Sequence, residues 1–163
     1  MHLHPTILFR IVILGLLAGG SSFAGQEPEE PSPKAEAGRS IAIEADESLV
    51  FSIVEIKAQP GEFLSIIFTN TAPADSSEVL HNVAFLNREF ESQELLQTLP
   101  PTEDNFGLPE NLREICLGET SIAKPGEKVE LNFQAPWEKG NFTFFCTIPG
   151  HAFLGMQGLL VVE

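Results

Sequence analysis

Apolar and polar residues alternate with a period of two in several short runs, which predicts strands with one buried face. The rhythm starts in Ile41-Ala42-Ile43-Glu44 and continues in Leu49–Ile56. After the turn signal Gln59-Pro60-Gly61-Glu62 it returns in Phe63–Thr69. Asn70–Ser77 is a polar loop, and Leu80–Leu86 reads as the next strand, with His81 near its beginning. Arg88–Leu99 breaks the alternation: Phe90, Leu95, Leu96 and Leu99 mark one side of a helix, which Pro100-Pro101 stops. Thr102–Glu119 is irregular and leaves room for one helical turn around Glu110–Ile115. Beyond the Lys124-Pro125-Gly126-Glu127 turn, strands are expected at Val129–Gln134, Asn141–Phe145 and Gly158–Val162. Seven or eight strands with one helical insertion make an all-β sandwich the expected fold class.

The N-terminus follows a different pattern. Arg10, the apolar run Ile11–Ala18 and Ser22-Phe23-Ala24 have the layout of a signal peptide over residues 1–24. The run falls short of the ~20 residues that a membrane-spanning helix needs. Residues 25–40 hold Pro28, Pro31 and Pro33 among Glu, Ser, Lys and Ala, which predicts a disordered linker. The folded domain is expected over residues 41–163. The protein is therefore expected to be exported, in the periplasm or tethered to the membrane through an uncleaved leader, with no spanning segment in the mature form.

Charge narrows the partners. Asp and Glu number 23 against 9 Lys and Arg, a net charge of −14. That excess argues against nucleic acid and favours a basic partner drawn in by electrostatic steering.

The chemistry is concentrated in Phe144-Phe145-Cys146-Thr147-Ile148-Pro149-Gly150-His151-Ala152-Phe153-Leu154-Gly155-Met156. A thiol, an imidazole and a thioether stand five residues apart at Cys146, His151 and Met156, in a loop bent at Pro149-Gly150. Thiolate, imidazole and a weak thioether suit copper that cycles between two oxidation states. A second imidazole is expected from His81. Of the 4 His and 2 Met, His2, His4 and Met1 lie in the leader. The remaining His and Met all fall in these two segments, where incidental residues would have scattered.

Cys146–Met156 together with His81-Asn82 resembles the blue (type 1) copper proteins, the cupredoxins, and within them azurins and auracyanins. The resemblance covers roughly residues 41–163 and is strongest from Thr120 onward. It implies a Greek-key β-sandwich holding one copper ion through His81, Cys146, His151 and Met156. It implies an electron carrier rather than an enzyme. The redox protein partner would be a basic c-type cytochrome or a respiratory complex, met by a monomer through an apolar patch around His151 that Pro149, Phe153 and Leu154 supply. It also implies that Asn82 ties its segment to Thr147. The sequence departs from azurins at Leu80, where they have Gly, and in lacking their N-terminal disulfide.

Competing chemistries are poorly served. A copper enzyme needs a second site built from further His, and none remains once His81 and His151 are used. Copper delivery draws on clustered Met or Cys, a binuclear centre on two Cys in the loop, and c-type haem on Cys-x-x-Cys-His. Zinc favours carboxylates over a thioether. Cys116 is left over, and a buried free thiol is expected there rather than a disulfide to Cys146.

Overall fold

Alternating sequence became ladder only where a partner strand lay alongside. The computed structural model describes residues 38–76, 79–91, 94, 108 and 110–163. They lie in one unit spanning Ala35–Glu163. The leader, residues 25–37 and most of the expected helix within Arg88–Leu99 lie outside the described residues.

Eight strands are present among the described residues: β1 (Arg39–Ala45), β2 (Glu55–Ala58), β3 (Phe63–Asn70), β4 (Ala84–Leu86), β5 (Cys116–Glu119), β6 (Lys128–Gln134), β7 (Gly140–Phe145) and β8 (Gln157–Val162). Two one-turn helices join them, α1 (Glu110–Arg113) and α2 (His151–Leu154). One sheet has the order β1-β3-β6 and the other β2-β8-β7-β4-β5. β1 runs parallel to β3 and β2 parallel to β8, while the remaining ladders are antiparallel. The fold is an all-β sandwich.

Three expectations need correction. Leu49–Ile56 forms a strand only from Glu55; before it, Ser52 folds back on Glu44, its amide donating to the Glu44 carbonyl at 2.8 Å. Phe51 is still buried there, so the alternation reported burial and not pairing. Leu80–Leu86 forms a strand only over its last three residues, because Val83 donates to the Thr120 hydroxyl (3.1 Å) instead of continuing a ladder. Cys116–Glu119, expected to be irregular, pairs with β4 as β5 across a bulge at Phe85/Leu86. The helical turn expected near Glu110–Ile115 is α1.

The core lies between the sheets. Phe85 packs against Phe133 (ring centroids 4.7 Å apart) and Phe144 (5.2 Å), and Phe51 bridges Phe144 to Phe68. Each buried Phe stabilises by roughly 2–3 kcal/mol relative to exposure. A second cluster covers the outer face of the larger sheet, where Phe145, Leu86, Phe90, Leu108, Leu112 and Ala152 meet. Phe144 and Phe145 point to opposite faces and both are buried. That explains why β7 ends in a continuous apolar run: the segment around α1 roofs its outer side.

Candidate metal centre

Two pieces of chain build the centre at one end of the sandwich. The first carries His81. Its backbone forms a bridge with Ala123, donating at 3.2 Å and accepting at 2.7 Å. Buried Asn70, at the end of β3, locks this bridge: its amide donates to Val79 O (2.7 Å) and Ala123 O (2.9 Å). Asn70 sits in the inward phase set by Leu64, Ile66 and Phe68, so a polar residue at an apolar position was a usable signal that sequence reasoning missed.

The His81 ring is fully buried. Its Nε2 lies 3.0 Å from the backbone carbonyl of Asp46. A carbonyl can only accept, so Nε2 carries the proton and Nδ1 keeps its lone pair. Nδ1 is the one buried side-chain nitrogen or oxygen without a hydrogen-bond partner among the described residues. Native proteins seldom leave such an atom unpaired without a use for it. The Asp46 contact is a backbone contribution, so no residue type announces it. The Asp46 carboxylate shapes the turn by accepting from the Ser48 amide at 2.8 Å.

The second piece is the loop from Cys146 to Met156. Cys146 leaves β7 fully buried, and its amide donates to Met156 O at 3.0 Å, while Met156 N donates to His151 O at 3.0 Å. These bonds close the loop on itself and bring Cys146 and Met156 level at the top of β7 and β8. Met156 is fully buried in the main core. His151 opens α2, which sits between two glycines of positive φ, Gly150 at 83° and Gly155 at 120°. Other residues rarely adopt those angles, so the glycines permit the single turn that lifts His151 to the surface.

The two pieces converge. Cys146 Sγ is 3.6 Å from His151 Nδ1, and the His81 and His151 rings are 5.1 Å apart at 56°. One donor atom from each of His81, Cys146 and His151 lies within 4.8 Å of the others. Bonds of about 2.0–2.3 Å to a shared ion require that closeness. Between the pieces, Asn82 Nδ2 donates to the Thr147 hydroxyl (2.8 Å) and Thr147 N donates to Asn82 Oδ1 (2.8 Å). The expected Asn82–Thr147 tie is therefore present.

Electrostatics make the pocket receptive to a cation. Burial pushes the Cys146 thiol up to about 11, against the pull of the Asn82 and Ile148 backbone amides. Burial, helped by the nearby His81, lowers His151 to about 4. Burial also lowers His81, outweighing the Asp46 carbonyl and carboxylate. Both imidazoles are thus neutral at pH 7 and ready to donate, and the sulfur ionises once a cation balances its charge. Two nitrogens and a sulfur without a carboxylate are a borderline-to-soft set that fits copper. Cys116 is a free thiol on β5, so no disulfide consumes the Cys146 sulfur.

Residues 39–163 match the copper-binding proteins of the plastocyanin/azurin family. The chain belongs to that family. Cupredoxins of this kind bind copper and carry electrons; they are not enzymes, and neither is this one. Among solved structures it is similar to auracyanin A, a "blue" copper protein from the green thermophilic photosynthetic bacterium Chloroflexus aurantiacus, at 29% identity and a TM-score of 0.62. That alignment covers 76% of this chain and 98% of the other. Sodium-dithionite-reduced auracyanin from the photosynthetic bacterium Roseiflexus castenholzii is 26% identical with a TM-score of 0.61, covering 76% and 96% of the two chains. An azurin from Methylomonas sp. strain J, 18% identical over 76% of this chain and 97% of its own, shares the fold with a TM-score of 0.62. Comparison with curated protein sequences found no match.

Proposed function

We propose that His81 Nδ1, Cys146 Sγ and His151 Nδ1 hold one type 1 copper ion, with Met156 as a weaker fourth donor, and that the exported chain shuttles single electrons between redox proteins. The observation that carries this reading is the buried, unpartnered Nδ1 of His81, on a ring that offers a donor atom within 4.8 Å of those of Cys146 and His151. Bound copper would supply a one-electron couple in a trigonal environment that suits both oxidation states.

The protein's own residues divide the work. The Asp46 carbonyl holds the His81 tautomer, Asn82 and Thr147 keep the two ligand-bearing pieces in register, and the core around Met156 excludes water. His151 is the electron port, because it is the only one of the four that is not fully buried. Val50, Phe153 and Leu154 are exposed, at 48%, 64% and 57%, and Pro149 completes an apolar rim beside it. A small, short-lived contact with a basic c-type cytochrome or respiratory complex suits this rim and the −14 charge. Residues 1–24 serve as the export signal, or as a tether if retained, and residues 25–40 as a spacer to the copper domain. The protein works as a monomer in the periplasm.

A visible spectrum tests the reading. Addition of one equivalent of copper gives an intense blue absorption, and Cys146→Ser abolishes it. A wild-type protein that binds copper and stays colourless removes the proposal.

A further inference from the structure

The end of the sandwich opposite the metal centre carries the chain's single tryptophan, and it is conspicuously placed. Trp137 lies in the turn between β6 and β7 and is 73% exposed. It is also held in place: a Cβ built on Gly61, whose φ is +72°, would come within 2.6–2.7 Å of the indole's six-membered ring. Only a residue without a side chain lets the indole lie so close. The turn beneath is pinned by Gly61 N donating to Pro136 O (3.1 Å) and by the Gln134 side chain donating to Gly61 O (3.0 Å). Two residues on, Phe63 is 44% exposed. An apolar surface is therefore presented on a fixed mount, not on a loose side chain.

Its distance from the metal centre follows from the strands. β7 begins at Gly140, just after Trp137, and ends beside Cys146; β3 begins at Phe63 and ends at Asn70, which braces His81. At about 3.3 Å per residue the two ends lie roughly 20 Å apart. The described chain also enters here. Gly38 lies against the Phe63 backbone, where an added Cβ would come within 2.8 Å of Phe63 C and O, and 37 residues precede it, including the apolar run Ile11–Ala18. Charges are paired on the described surface here: Arg39 with Glu62 and Lys57 with Glu163, while Glu138 and Lys139 follow Trp137 directly in sequence.

The geometry points to a docking face for a lipid bilayer formed by Trp137 and Phe63. A fixed, exposed indole beside a second aromatic and paired charges suits the interface between headgroups and acyl chains. With its described charges paired, this face draws on apolar contact with a zwitterionic leaflet rather than on attraction to an anionic one. Seated this way, the domain directs His151 away from the membrane, towards the aqueous phase. That orientation rests on the electron-carrier reading for its purpose, while the lipid contact stands without it.

Because Trp137 is the only Trp and there is no Tyr, its emission reports on this face alone. The full 163-residue chain, with and without copper, is mixed with phosphatidylcholine vesicles, and again with vesicles whose lipids are brominated near the headgroup end of the acyl chain. The expected results are a blue shift of the emission and at least twofold quenching by the brominated lipid in the copper-free chain, and flotation with the vesicles in both forms. Phe63→Glu is expected to lose at least half of the quenching, and Phe153→Glu, at the far end, none. Emission unaltered by vesicles overturns the proposal even if the chain floats with them, because a leader alone would carry Trp137 along in water. A blue shift that depends on protein concentration without lipid also overturns it and assigns the face to a second copy of the chain. A protein that never turns blue but shows lipid quenching would separate failure of the copper reading from failure of this one.

Discussion

His81 and His151 offer the same imidazole from opposite kinds of surroundings. His81 is fully buried, bridged through its backbone to Ala123 and fixed by the Asp46 carbonyl. His151 is half-buried on a four-residue helix whose neighbours Phe153 and Leu154 face water. One side of the centre is a wall held by the sheets' own contacts. The other is a surface turn that can meet a partner. The division predicts unequal costs of removal in the copper-free protein. His81→Ala leaves a buried cavity and an abandoned carbonyl and should cost about 2–4 kcal/mol. His151→Ala should cost under about 1 kcal/mol, as exposed sites usually do. Urea midpoints of the copper-free variants measure both, and equal losses would break the distinction between wall and port.

The wall and the port are joined by Asn82 and Thr147. Asn82→Ala leaves the buried Thr147 amide without its acceptor, which typically costs about 1–3 kcal/mol. It should also speed copper loss, measured by transfer to a chelator, because the two ligand-bearing pieces lose their register. If stability falls and copper release does not change, the link serves folding alone.

The port was easier to read from sequence than the wall. Cys146, His151 and Met156 fall in one stretch of local spacing, and a local pattern survives folding. His81 was legible only as the remaining imidazole. What fixes it is non-local: a carbonyl from the turn after β1, a side chain at the end of β3, and a bridge to Ala123 ahead of β6. The strands at Phe63–Asn70 and Lys128–Gln134 followed their alternation. Leu49–Val54 alternated too and formed no ladder, since period two records which face is buried and not which strand is adjacent. β5 was missed because three of its four residues, Cys116–Gly118, are only half-buried, Glu119 is exposed, and they carry no alternating contrast.

Acid separates the two histidines further. In the unfolded chain an imidazole titrates near 6.5, whereas His151 in the copper-free fold is held down at about 4. The unfolded state therefore binds more protons between these values. The contribution is fully present above 6.5 and is lost as pH falls towards 4. His81 adds in the same direction. From pH 7.5 to 5 the copper-free protein should lose about 1 kcal/mol through His151, allowing for its partial exposure. His151→Gln should flatten that part of the profile in urea unfolding. An unchanged slope would show that the pH dependence arises elsewhere.

Cys116→Ser should have the smallest effect and bears on whether the centre has a spare sulfur. Cys116 lies on β5 opposite Leu86, packed against the cluster around Phe145 and Leu112. Burial raises its thiol, so at neutral pH it stays protonated and a poor ligand. Ser in its place exchanges a small apolar contact for a hydroxyl near the sheet edge and should change stability by less than about 1 kcal/mol. The blue spectrum should not change in position or intensity, because the sulfur proposed to bind copper is that of Cys146, at the end of β7 on the other flank of β4. A shifted band in Cys116→Ser would mean that the second cluster, which includes Ala152 of the ligand loop, transmits strain to His151. The separation between buried wall and surface port would then be weaker than their surroundings suggest.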